Sequence, residues 1–225
     1  MKHAWLVLGV LLVVAIVTAS ASRPARSAPA VSNPVTVVAA GVTQIGDGMG
    51  VGIVLKNTSK GDAKKVEVTF FAETSSGAPV SAGSTTINII PKGATFYTGD
   101  ELSVLAPGRV ATKVEAFVKV EETVLPAYKL PLVSNVKLVK SSSGYEVSGV
   151  LKNTLKATLG NLARIGIVVF DKGGKVLGGA YTYPDRSLPK GKSLAWHTTI
   201  PTIKGAASAN ASAENEGLES EPISS

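Results

Sequence analysis

Beyond residue 34, apolar side chains alternate with polar ones along most of the chain. Val66, Val68 and Phe70 point one way with Glu67 and Thr69 opposite, and Val114, Ala116, Val118 and Val120 repeat that period of two. This is the pattern of a strand with one buried face. Short Gly- or Ser-rich breaks interrupt the runs at Gly46-Asp47-Gly48, Ser75-Ser76-Gly77, Ser142-Ser143-Gly144 and Lys172-Gly173-Gly174. Such breaks between β-branched segments predict hairpin connections. The strands so delimited cover residues 35–44, 50–56, 65–72, 79–90, 95–102 and 111–120, then 132–140, 145–152, 163–171, 175–188, 193–200 and 206–213. The last run lacks large apolar residues and predicts a weak or frayed edge.

The two sets of strands are copies of one another. Val54-Leu55-Lys56-Asn57-Thr58 returns as Val150-Leu151-Lys152-Asn153-Thr154, and Ile90-Pro91-Lys92-Gly93 as Leu188-Pro189-Lys190-Gly191. Between these anchors Ile165, Ile167 and Val169 take the places of Val66, Val68 and Phe70. Matching order, spacing and alternation indicate duplication. Short strands with turns at this spacing predict an all-β fold of two tandem immunoglobulin-like β-sandwich domains, residues 35–125 and 132–213. Residues 126–131 join them, and Pro126 and Pro131 favour an extended, fairly stiff connection. The repeat argues for two units over one large barrel.

The ends of the chain read differently. Lys2, the apolar run 6–19 and the small-x-small Ala19-Ser20-Ala21 predict an export signal over residues 1–21. The run is roughly 14–16 residues, short of the ~20 that cross a bilayer comfortably, so cleavage is favoured over retention as an anchor. Residues 22–34, with Pro24, Pro29 and Pro34, form a linker. Residues 214–225, carrying Glu214, Glu216, Glu219 and Glu221, form an acidic tail. Export implies a secreted, periplasmic or cell-surface location, with the membrane touched only through a retained N-terminal segment.

Aromatic residues are 5% of the chain, so the core must come from Val, Ile, Leu and Ala. Cysteine is absent, which removes disulfides, thiolate metal sites and cysteine nucleophiles. The net charge of +7 is unevenly spread. Residues 35–128 hold 8 bases and 9 acids, whereas residues 132–204 hold 11 bases and 3 acids.

The order of motifs resembles the FxLYD domain family. In the second copy Ile167-Val168-Val169-Phe170-Asp171 corresponds to the naming motif, followed by Gly174-Lys175-Val176 and the Leu188-Pro189-Lys190-Gly191 turn. The first copy is degenerate: Val68-Thr69-Phe70-Phe71-Ala72 places Ala72 where the acid is expected. The resemblance covers most of the mature chain and implies an immunoglobulin-like sandwich common in exported bacterial proteins. It brings no established activity or active site.

Candidate chemistry is sparse. His197 is the sole histidine beyond the signal, and it alternates away from Leu194, Trp196 and Ile200 onto the outer face. One histidine and no cysteine leave no zinc set. Gly46-Asp47-Gly48-Met49-Gly50 leads into a strand, whereas a phosphate-cradling loop leads into a helix; a hairpin turn is the reading. Asp47 alone cannot hold calcium. Asp171 reads as a turn residue. The second copy's Glu146, Asp171 and Asp185 are not placed as a glycosidase pair. Asn57-Thr58-Ser59 and Asn210-Ala211-Ser212 fit the glycosylation pattern, which matters only in a eukaryotic secretory route.

Lys137, Lys140, Lys152, Lys156, Lys172, Lys175, Lys190 and Lys192 fall mostly at strand ends and turns. They could form a cationic surface for an anionic envelope polymer or lipid headgroup. The plainer reading, solvated lysines that guard strand edges, is preferred. Stacking aromatics are too few for nucleic-acid binding. The expectation is therefore a non-enzymatic exported envelope or secreted protein, without cofactor or metal, acting as an interaction or spacer module. Its partner is an unknown protein or an anionic envelope component; an anionic-polymer binder is the alternative.

Overall fold

A computed structural model describes residues 33–126 and 128–214, all β with no helix among them. The predicted signal, most of the 22–34 linker and residues 215–225 lie outside the described residues. Twelve strands make four three-stranded antiparallel sheets. The first half supplies β1 (Val35–Ile45), β2 (Gly48–Asn57), β3 (Asp62–Glu73), β4 (Pro79–Ile90), β5 (Thr95–Ser103) and β6 (Lys113–Val124). The second supplies β7 (Leu132–Ser141), β8 (Gly144–Lys152), β9 (Ile165–Phe170), β10 (Val176–Thr182), β11 (Ser193–Ile200) and β12 (Ser208–Ala213). Strand order is β1-β2-β5 and β4-β3-β6 in the first half, and β7-β8-β11 and β10-β9-β12 in the second. The same two patterns thus occur twice.

The period of two sets each core. Val66, Val68 and Phe70 of β3 are fully buried and meet Val51, Ile53 and Leu55 of β2 and Phe96 of β5. Ile165, Ile167 and Val169 of β9 do the same against Val147 and Leu151 of β8 and Trp196 of β11. Each such side chain contributes about 1.5–3 kcal/mol by leaving water. One sheet pair closes around each cluster.

The repeated Leu-Lys-Asn does more than end a strand. Asn57 is fully buried; its Nδ2 donates to the carbonyls of Gly61 (2.9 Å) and Ile90 (2.8 Å), and its Oδ1 accepts from Ser59 N–H (2.9 Å). Asn153 repeats the clamp, donating to Ala157 and Leu188 (2.8 Å each) and accepting from Leu155 N–H (2.9 Å). A carboxamide alone among short side chains offers two donors and an acceptor at once. It ties the loop after β2 or β8 to the residue that precedes the Pro-Lys-Gly turn, the last of β4 in the first half and Leu188, bridged only to Leu159, in the second. Those turns also match: Ala94 N–H donates to Pro91 O and Lys192 N–H to Pro189 O, with Gly93 and Gly191 at φ 68° and 74°.

Two expectations need correction. Residues 206–213 are not a frayed edge: β12 pairs with β9 in unbroken register from Ser208↔Phe170 to Ala213↔Ile165. Glu214 is no tail residue; it is 3% exposed, and its N–H donates to Arg164 O (2.9 Å). The boundary was set one residue early because Glu214 was weighed by charge alone; residues 215–225 lie outside the described residues.

Candidate functional site

The described residues fall within one compact unit, because the sheet β1-β2-β5 lies flat against β10-β9-β12. Glycine makes this possible. Gly41, Gly52 and Gly99 are cross-strand neighbours in β1, β2 and β5. A Cβ on Gly52 would stand 2.2 Å from the Gly178 carbonyl oxygen, and one on Gly41 equally close to that of Val176. From the other side, a Cβ on Gly166 would meet Thr98 Cα and the Tyr97 carbonyl at 2.8 Å. Stacked sheets ordinarily sit about 10 Å apart because side chains fill the space. Here backbone touches backbone, and a small cluster of Val54, Val168 and Val176 seals one part of the seam.

Polar contacts fasten the seam. Thr43 Oγ1 donates to Leu177 O (2.7 Å), Tyr97 N–H to Ser212 Oγ (3.1 Å), and Asn88 N–H to Glu214 Oε2 (3.3 Å). Arg164, 6% exposed, reaches from the second half into the first. It donates to Thr85 Oγ1 (2.6 Å) and Gly99 O (2.8 Å), and stands 3.3 Å from an Asp100 carboxylate oxygen. The Tyr181 ring covers its guanidinium, with Cζ 4.5 Å from the ring centroid. A guanidinium so enclosed is held by charge-assisted bonds and cation–π attraction together.

Beside this group opens a cleft of about 440 Å³ whose walls come from both halves. Ser84, Thr85, Thr86 and Asn88 of β4 form one side, and Tyr181 and Tyr183 the other. The tyrosines pack edge to face, centroids 5.7 Å apart. Tyr181 also borders a second cavity of about 640 Å³ between the ends of β2 and β11. Reading strand by strand missed this site. Its signal was available: glycines inside strands, where they weaken a sheet unless something approaches closely.

The eight lysines of the sequence reading are all exposed, but they do not converge. Lys152, Lys190 and Lys192 meet at one end of the second half, where Asn153 N–H donates to Lys192 O and Gly191 N–H to Asn153 O. Lys156 follows in the next loop. Lys140 lies opposite Tyr145, at the far end of β8, roughly 23 Å from Lys152 at 3.3 Å per residue. Lys137 stands mid-strand opposite Ser148, and Lys172 and Lys175 flank the β9–β10 turn.

Other candidates take structural places. Asp171 Oδ1 accepts from Gly173 N–H (2.8 Å) and Lys175 N–H (2.9 Å) in that turn. The first copy, with Ala72 in the expected acid position, uses Thr74 instead: its Oγ1 accepts from Ala78 N–H at 3.1 Å. His197 faces outward as read, and Asn57, enclosed by its three partners, has no room for a glycan. Among the described residues no group of acids and histidines gathers as a metal set, and no helix is long and apolar enough to cross a membrane. No family model matches the chain, and no curated protein matches its sequence.

Proposed function

We propose that this is a non-enzymatic exported protein of the cell envelope or its surroundings, a rigid spacer or interaction module of two immunoglobulin-like sandwiches similar to FxLYD domains. The observation that carries the reading is the seam. Glycine-to-backbone contact joins the halves into one block, which suits holding partners at a fixed separation. The signal-like residues 1–21 support export, and the motif order supports the family likeness. Fractionation of cells expressing the tagged full chain, followed by pull-down from native envelopes, tests the proposal. Recovery outside the cytoplasm with a reproducible partner is expected. A cytoplasmic chain, or substrate turnover abolished by one substitution, would overturn it.

The alternative, an anionic-polymer binder, draws on Lys152, Lys190 and Lys192 at one end. It predicts binding of the full chain to anionic liposomes that weakens steeply with salt. The spread of the other lysines favours the spacer reading.

A further inference from the structure

We infer that the cleft beside Arg164 binds a neutral polyhydroxylated ligand, an oligosaccharide. Its volume of about 440 Å³ is that of an open, shallow groove with a mainly polar lining, a shape that takes an extended, hydroxyl-rich ligand along one side. The lining fits sugar chemistry. Ser84 and Thr86 present exposed hydroxyls at the rim, each able to donate and accept. Tyr183, 40% exposed, offers a ring to the apolar face of a pyranose, and its edge-to-face contact with Tyr181 fixes that ring's attitude.

The charge arrangement selects against anions. Among the described residues that line the cleft Arg164 is the one cationic side chain, and Asp100 stands 3.3 Å from it. Its N–H groups are directed to Thr85 and Gly99, and the Tyr181 ring lies over its face. A phosphate or carboxylate would find no surplus positive charge here. A neutral ligand loses nothing by that balance. The second cavity, of about 640 Å³, shares Tyr181 and carries the hydroxyls of Thr43, Ser103 and Thr199. Tyr181 thus borders both cavities, so the ligand tested is a short chain of sugar units rather than a single one. The inference stands whether or not the protein serves as a spacer.

The test is calorimetric titration of the full chain with neutral hexasaccharides of glucose (β-1,4 and α-1,4) and of N-acetylglucosamine, with polygalacturonate as anionic control. At least one neutral hexasaccharide should bind saturably. Raising salt from about 0.05 to 0.5 M should leave that affinity within about twofold, since screening acts on charge. Tyr183→Ala should weaken binding about tenfold and Thr86→Ala about threefold, changes of ordinary size for one contact. Both sites are exposed, so unfolding midpoints should hold. Failure of all three sugars near 10 mM, indifference to Tyr183→Ala, or preference for polygalacturonate with steep salt dependence would each overturn the inference.

Discussion

The row Gly41–Gly52–Gly99 in the first half and the row Lys137–Ser148–His197 in the second occupy the same places of the same sheet pattern. The first row is buried against the other half; in the second, Lys137 and His197 are exposed and Ser148 is half-buried. The other sheet shows the reverse. Tyr181–Gly166–Ser212 lies on the seam, while its counterpart Thr86–Glu67–Lys119 faces outward. The halves therefore meet through unlike faces. Such a head-to-tail contact could repeat without end if the outer faces were alike. Lys, Glu and His in the outer rows stop that by steric bulk and charge. Inward faces of like pattern build two cores; the outward faces decide which pair joins.

The widest gap between the two rows should appear on filling the glycine position. Gly52→Val sets a branched side chain against the Gly178 carbonyl and should lower stability by about 3 kcal/mol or more, the range of severe overpacking. Ser148→Val, its outer counterpart, should stay within about 0.5 kcal/mol. Urea unfolding of both variants decides; equal effects would mean the seam contributes nothing.

Next come the two asparagine clamps, where the halves should behave alike. Asn57→Ala and Asn153→Ala each strand a buried carbonyl, of Ile90 or Leu188, together with a loop carbonyl, and should cost about 2–3 kcal/mol. A loss at one site only would show that the copies are not built the same way.

The arginine pair should again divide them. Arg164→Met should cost about 1–3 kcal/mol, leaving Asp100 without its cation, and adding Asp100→Asn should restore part of that loss. Lys65, in the corresponding place of β3, holds Glu121 at 3.0 Å on the exposed surface. Lys65→Met should therefore change stability by less than about 0.5 kcal/mol.

The smallest effect belongs to the outer rim of the first half. Lys113 is held above the ordinary lysine range, chiefly by its hydrogen bond to Glu73 and then by that carboxylate's charge. A folded-state pKa above the unfolded one gives stability that is complete below the unfolded value, near pH 10.4, and is lost as pH climbs through the folded value. Thermal unfolding of Lys113→Met should accordingly differ slightly from the parent at neutral pH, with the gap closing above about pH 10.5. A gap that widens there would reverse the assignment.

Much of this was legible in the chain. The alternation of Val66, Val68 and Phe70, the Gly-containing turns and the double Leu-Lys-Asn are local features, and each lies within a few residues of what it specifies. They set the strands, their inward faces and the matching order of the halves. The clamp role of Asn57 was half legible: its recurrence marked it, but its partner Ile90 lies 33 positions away. In-strand glycines hinted at a close approach, but the cleft's members could not be named, since Thr85 and Arg164 are 79 positions apart and neither is unusual in its own segment.

What the sequence determined alone was a β chain written twice, with each copy's inward face and turns in place, because period, turn chemistry and core volume act between near neighbours. What tertiary structure decided was the use of the outward faces. Gly52 becomes a seam residue only because the Gly178 carbonyl lies where a Cβ would be. Glu214 becomes a fastening only because the Asn88 N–H waits across the gap. Close approach and charge burial depend on what the opposite sheet presents, and a strand's own pattern does not record that.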